Sequence, residues 1–318
     1  MVALMGGMGA PHRPVLLNET LDLLKAGRSG LFVDGTVGLG GHSEAILESS
    51  PDARVIGIDR DREALDLARK RLAHFGARFL GVHGNFRDIR RIVEEANESD
   101  VQGVLVDLGV SSLQFDTGKR GFSFRQDAPL DMRMDPGGDD ETAAALLAQL
   151  SEEEIARIIF EYGEERRSRR IARWIVERRE RGEPIERTGE LADLVARALR
   201  TRKADRVHPA TRTFQALRIA VNSELEGLGE FVEAAIDLLQ PDGRFVAISF
   251  HSLEDRIVKQ TLRRLAGYCE CSRRAPVCSC GARQEVEILT RRPLVPGEDE
   301  VAENPRARSA KLRACRKL

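Results

Sequence analysis

The sequence predicts an α/β fold, a mostly parallel, Rossmann-like, seven-stranded sheet with helices on both faces and an all-helical domain inserted into it. Three observations predict it. Short apolar runs alternate with amphipathic helical patterns through the first third of the chain, as a parallel sheet requires. The first of these runs leads through an acid and a glycine-rich turn into a helix start, Phe32-Val33-Asp34-Gly35-Thr36-Val37-Gly38-Leu39-Gly40-Gly41-His42. The alternation then gives way to a purely helical stretch from Thr142 to about Arg202, after which strand patterns return.

In chain order, Leu31–Asp34, Arg54–Asp59, Arg78–Val82 and Val101–Asp107 read as strands, with a helix over Asp61–Phe75 between the second and third. Leu113 to Pro136 is polar, with Gly and Phe, and shows no period. Ser151 with Glu154 forms a capping box for one inserted helix. Gly182-Glu183-Pro184 ends an arginine-rich helix, and Thr188 is placed to cap the next. Strand patterns resume at Arg244–Phe250, Glu285–Thr290 and Ser309–Cys315. The expected organisation is residues 1–130 and 208–318 as the two parts of one α/β domain, with 131–207 as the inserted helical domain.

The 318 residues are 42% apolar and 32% charged, which describes a globular chain able to bury a core. No apolar run approaches the roughly 18 residues of a membrane helix, and the Gly-rich start lacks the basic region of a signal peptide. A cytoplasmic protein without a membrane partner is expected. The net charge of −1 hides two basic concentrations. Arg166–Arg181 holds eight arginines against Glu177 and Glu180. After Glu303 come Arg306, Arg308, Lys311, Arg313, Arg316 and Lys317 with no acid. Solvated faces explain such patches; beside a cofactor cradle they also fit a polyanionic substrate.

A strand, glycine loop and helix in this order make a nucleotide-cofactor cradle. The dinucleotide fingerprint needs Gly or Ala where Ser43 stands, which disfavours a dehydrogenase. Asp34, just ahead of the loop, suits a cofactor with a positive charge, and Gly38 lets backbone approach it closely. Asp59 ends the second strand, 21 residues past Gly38, where an acid accepts from a ribose diol; capping the next helix is the alternative. Phe86 follows the third strand, for adenine packing or for the core. Ligands in open α/β sheets sit beyond the carboxyl ends of the strands. Asp34, Asp59, Asp107 and Ser249-Phe250-His251-Ser252 therefore gather around one crevice. Asp107 is the first candidate to orient a nucleophilic amine, with His251 and Ser249 behind it; capping the following turn is the alternative. In the helix after His208, Phe214, Leu217, Val221 and Leu225 share a core face. Thr211, Arg212, Gln215, Arg218 and Asn222 line the polar side, for substrate or for solvent. Cys269, Cys271, Cys278 and Cys280 have a Cys-x-Cys pairing that a tetrahedral zinc can use, reduced loop thiols being the alternative. No Pro-Cys nucleophile adjoins Asp107, which disfavours covalent chemistry at cytosine C5.

Several longer stretches together resemble one family, the bacterial 16S ribosomal RNA cytosine-N4 methyltransferases, called RsmH or MraW. They are His12–Leu17, Val33–His42, Asp107–Gln114, Pro129–Asp135, Tyr162–Glu165, His208–Arg218, Ser249–Asp255 and Asn304–Lys311. The resemblance runs nearly end to end. It implies a class I S-adenosylmethionine-dependent methyltransferase whose acceptor is a cytidine in the decoding region of the small ribosomal subunit. It carries cofactor contacts to Gly40, Gly41, His42, Asp59, Phe86, Asp107 and Gln114. His12 of the first motif joins Arg212, Gln215, Arg218 and Asn222 on the substrate side, while the inserted helices and the basic tail would hold RNA backbone. The chain departs from the general amino-methyltransferase motif, Asp/Asn/Ser-Pro-Pro-aromatic, with Asp107-Leu108-Gly109-Val110. The stacking aromatic must come from elsewhere, from Phe115, Phe122, Phe124 or Phe250. The cysteine pairs resemble a family loop, which does not establish metal. An assembly factor that holds the cofactor without turnover, and another nucleic-acid target, are the competing readings; a homodimer is compatible with the sequence.

Overall fold

The structure is a computed structural model that describes residues 14–116, 118–200, 208–269, 271 and 281–318. His12, Cys278 and Cys280 lie outside the described residues. The chain divides into two compact units, Met1–Gly109 with Gly227–Leu318, and Val110–Glu226.

The first unit holds the sheet. Its strands are β1 (Gly30–Asp34), β2 (Ala53–Asp59), β3 (Phe79–His83), β4 (Val101–Asp107), β5 (Leu239–Ser249), β6 (Val286–Ile288) and β7 (Lys311–Lys317). Among the described residues these seven lie in the order β3-β2-β1-β4-β5-β7-β6. β1 to β5 run parallel, and β7 runs antiparallel to both of its neighbours. The helices are α1 (Leu17–Leu24), α2 (Gly41–Ser49), α3 (Arg62–Leu72) and α4 (Ile89–Glu95), and later α11 (Leu228–Leu238), α12 (Ser252–Leu265) and α13 (Glu298–Glu303). Two buried clusters form on the sheet. One joins Val33, Ile58, Val104 and Val106 to Phe231 and Val232 of α11; the other joins Phe32, Val55 and Leu105 to Leu24, Ile46 and Leu47. β1 and β4 are almost wholly buried, which explains why they read as unbroken apolar runs rather than alternating ones. β5 starts five residues before the expected Arg244, because the strand pairs at Leu239, shifts register around Asp242 and pairs again from Arg244.

The second unit contains α5 (Ser112–Asp116), α6 (Ala143–Gln149), α7 (Glu152–Gly163), α8 (Ser168–Glu180), α9 (Thr188–Leu199) and α10 (Thr211–Asn222). Ile155, Ile159, Ile171, Ile175, Leu191 and Val195 make a core of its own. Each such side chain contributes roughly 1.5–3 kcal/mol of burial. The unit begins at Val110 rather than 131 and ends at Glu226 rather than 207. The reason is packing, since Phe122 and Leu130 before the expected boundary and Phe214, Leu217 and Val221 after it are buried in this same core. The capping box at Ser151 and Glu154 is present. Thr188 is not a cap; it is the first helical residue, and its hydroxyl accepts from Ala128 N–H at 3.0 Å and donates to the Gln126 carbonyl. No helix among the described residues is long and apolar enough to cross a membrane.

Candidate active site

Three carboxylates end three neighbouring strands. Asp34 ends β1, Asp59 ends β2 and Asp107 ends β4. Parallel pairing brings those ends to one edge of the sheet, at the start of the glycine-rich turn.

Asp34 is buried and braces the turn. Its Oδ2 accepts from Ser43 Oγ at 2.7 Å, and its Oδ1 accepts from Thr36 N–H at 3.2 Å. Ser43, which breaks the dinucleotide fingerprint, is thus the donor that fixes α2 to β1. Burial pushes the Asp34 carboxyl up to about 6, against the pull of these two bonds. Asp59 Oδ2 accepts from Gly38 N–H at 2.7 Å and its Oδ1 from Asp61 N–H at 2.8 Å. Capping of α3 falls to Asp61, which accepts from Glu63 and Ala64. Asp59 is therefore not the helix cap, and its remaining lone pairs are left for a ligand. Burial pushes it, too, up to about 6.

Asp107 N–H donates to Thr36 Oγ1 at 2.7 Å, which ties β4 to the turn. Its Oδ1 is enclosed and accepts no hydrogen bond, so it is not a cap. Its Oδ2 lies 3.8 Å from His42 Nδ1. Burial first, then the charges of Asp34 and Glu254, hold its carboxyl well above the usual carboxylate range. Among the described residues no lysine or arginine pairs with any of these three acids. A buried acceptor without a donor and an acidic cradle without a cation fit a positively charged ligand with hydroxyl donors.

The three glycines of the turn have different surroundings. Gly38 has φ 51° and open space on its Cβ side, as close approach of a ligand requires. Gly40 and Gly41 are small because protein fills their side-chain directions. A Cβ at 40 would stand 3.1 Å from Leu72, and one at 41 would stand 2.6 Å from Pro14. Segment 14–16 thus lies on the turn. His42 Nε2–H donates to the Val15 carbonyl at 3.1 Å, and Leu16 N–H donates to Glu300 Oε1 at 2.7 Å. Sequence reasoning missed Thr36 and Glu300; the second is 284 residues from its partner, and no local pattern signals it.

Phe86 is half-buried, edge-on to Phe231 with ring centroids 4.6 Å apart, so one face of it belongs to the core. Ser249 is buried and donates to the Lys311 carbonyl, and His251 caps α12 through Glu254 N–H. Phe250 stands beside Gly109, where an added Cβ would meet its ring at 3.4 Å.

Gln114 and the expected substrate residues Arg212, Gln215, Arg218 and Asn222 belong to the second unit. Gln114 Oε1 accepts from Ser111 N–H at 3.0 Å. Arg212 is exposed, and Gln215 donates to the Tyr162 carbonyl. The polar side of α10 is not an exposed row. Arg218 forms a two-pronged pair with Glu224 at 2.8 and 2.7 Å, and Asn222, only 1% exposed, is bonded to the backbone of Met132 and Met134. The last four cations of the basic tail lie in β7 and are partnered, whereas Arg306 and Arg308 are exposed in the turn before it. Arg313 pairs with Asp255, Arg316 with Glu287 and Asp242, and Lys317 donates to the Asp237 carbonyl. Of the expected zinc ligands, Cys269 is exposed and Cys271 half-buried.

The sheet order, with the single antiparallel β7 and acids ending β1, β2 and β4, defines the class I S-adenosylmethionine-dependent methyltransferase fold. A model of the MraW methylase family matches residues 9–318. The chain belongs to that family. It is 56% identical over 312 residues to a protein of Geobacter sulfurreducens named Ribosomal RNA small subunit methyltransferase H, covering 96% of this chain and 99% of the other. A protein of the same name from Carboxydothermus hydrogenoformans is 50% identical over 307 residues, covering 96% and 98%. One from Syntrophotalea carbinolica is 52% identical over 309 residues, also covering 96% and 98%.

Proposed function

We propose that this protein methylates N4 of a cytidine in the decoding region of 16S ribosomal RNA, within the small ribosomal subunit, using S-adenosylmethionine. A ribosomal substrate would place it in the cytoplasm. Asp107, with its enclosed, unpartnered Oδ1, is the observation that carries the reaction type; the names of the relatives support the substrate.

S-adenosylmethionine, when bound, supplies a methyl group on a positively charged sulfur. Gly38, Asp59, Asp107 and His42 would hold it, with Phe86 against its adenine and Asp34 bracing the turn. The target amine is a weak nucleophile because its lone pair is delocalised into the ring. Asp107, whose side chain is 24% exposed, accepts a hydrogen bond from the amine N–H on the open part of its carboxylate, localises that lone pair and takes up the proton. A carboxylate whose pKa is raised is the more basic for it. Phe250, beside Gly109, supplies the aromatic face that the Asp107–Val110 motif lacks. Ser249 and His251 set the end of β5 and the start of α12 next to Asp107.

The direct test combines the protein, labelled S-adenosylmethionine and small subunits lacking the modification, followed by nucleoside mass spectrometry. Label in N4-methylcytidine is expected; label in any other nucleoside would overturn the assignment.

Two further outcomes follow from the cradle. The folded-state pKa values of Asp34 and Asp59 lie above the unfolded value near 4. Their contribution to stability is therefore present below about pH 4 and is lost as pH rises through about 6. A bound cation favours the ionised forms, so cofactor binding is expected to release protons near pH 6 from Asp34 and Asp59. Calorimetry in two buffers of different ionisation enthalpy reads this directly; equal heats at pH 6 would count against it. Glu300→Ala removes the acceptor of Leu16 N–H, a charge-assisted bond of about 1.5–3 kcal/mol. Weaker cofactor binding by roughly tenfold, with kcat unchanged, is expected from titration and single-turnover rates.

A further inference from the structure

One surface of the second unit is used by nothing described so far. Of the eight arginines between Arg166 and Arg181, three serve the unit itself. Arg167 donates to the Leu199 carbonyl at 2.8 Å, and Arg178 donates to Glu190 at 2.9 Å. Arg179 donates to the carbonyls of Leu147, Ala148 and Leu150, closing the end of α6. Arg173 stands 3.7 Å from Glu152. Among the described residues, Arg166, Arg169, Arg170 and Arg181 have no carboxylate within ion-pair distance.

Arg166, Arg170, Trp174, Glu177 and Arg181 follow one another at spacings of three or four along α8 and its flanks, so they form one stripe. The Arg170 guanidinium lies over the Trp174 ring, 5.5 Å from its centroid. Half-buried Trp174 borders a groove between α8 and α9, lined also by Glu177, Arg178, Arg181, Glu183, Leu194 and Arg197, with Arg178 held by Glu190. Its two cations without a carboxylate partner, Arg181 and Arg197, and its indole suit a strand that offers phosphates and a bare base at once. A duplex keeps its bases stacked and cannot reach the ring, whereas an unpaired strand can.

We infer that this groove binds a single-stranded RNA segment, with one base on Trp174 and backbone phosphates on Arg181 and Arg197. This rests on the ribosomal RNA substrate proposed above and adds where a second, non-reacting part of it is held.

The chain contains one tryptophan, so its fluorescence reports on this groove alone. The full-length protein would be titrated with an oligocytidylate of roughly twelve nucleotides, with the same strand in a duplex, and with an oligoglutamate peptide. Quenching by the single strand alone is expected. In the Arg181→Ser/Arg197→Ser protein, binding should be about tenfold weaker at moderate salt, and the slope of log K against log salt should fall by about 1.4 for two lost phosphates. The same variant should raise KM on small subunits and leave kcat unchanged. Unchanged fluorescence with the single strand, equal quenching by the peptide, or an unaltered KM would each overturn the inference. Failure of the substrate assignment looks different: quenching and its salt slope would persist while no N4-methylcytidine forms.

Discussion

Asp107→Asn is expected to lose about 10²–10⁴-fold in turnover while gaining thermal stability. The two effects share one cause. Asp107 is half-buried beside Asp34 and Glu254, and its ionised form is held against both desolvation and like charge. An amide of the same shape removes that cost and leaves the Asp107 N–H bond to Thr36 intact. An amide oxygen still accepts a hydrogen bond but cannot take a proton. Methyl transfer to small subunits, with the melting temperature measured alongside, separates the outcomes. Full turnover in the variant would reduce Asp107 to a cofactor contact, and a fall in stability would show that its charge is compensated in the fold.

The largest structural effect is expected from Asn222→Ala, a loss of about 3 kcal/mol from the second unit. Asn222 Oδ1 accepts from Met134 N–H at 2.7 Å, and its Nδ2 donates to the carbonyls of Met132 and Arg218, both at 2.8 Å. Met132 holds φ 66° in a segment without regular structure and is fully buried. Its N–H donates to the Arg120 carbonyl at 3.0 Å, and Asn222 supplies the donor for its carbonyl. Alanine would leave buried donors and acceptors unmade and release a strained residue. Hydrogen exchange across residues 118–135 should accelerate sharply while β1 and β4 stay protected. Unchanged protection in 118–135 would show that the segment is held by other contacts.

The sheet and its three acids were legible because parallel strands are buried on both faces and end at one edge. Val101–Asp107 could be bounded to the residue, and Asp34, Asp59 and Asp107 fell where strand ends must lie. What could not be read were partners from distant segments. The polar side of α10 suggested solvent or substrate, yet Asn222 faces backbone that has no period of its own. The last basic residues suggested an RNA arm, yet their acids come from α12, β5 and β6, and no window of sequence holds both charges. Gly40 and Gly41 fitted a cofactor loop, and the structure adds reasons the motif does not show: φ 81° with Leu72 close by at 40, and Pro14 against 41. The dinucleotide test at Ser43 succeeded for a reason the motif does not contain, the bond from its hydroxyl to Asp34.

The pairing of β4 with β5 has a consequence for how the chain reaches its native state. Gly103 is hydrogen-bonded across the sheet to a strand partner, Arg244, about 140 residues later, and the whole second unit lies between them. Closing so long a loop in a disordered chain costs on the order of 4 kcal/mol. If the intervening helices condense first around their own core, the span to be closed shrinks to their two ends. A synthesis order in which residues 110–226 acquire structure before β5 emerges would then set the pace of sheet completion, and damage to that helical core would slow the assembly of strands it never touches.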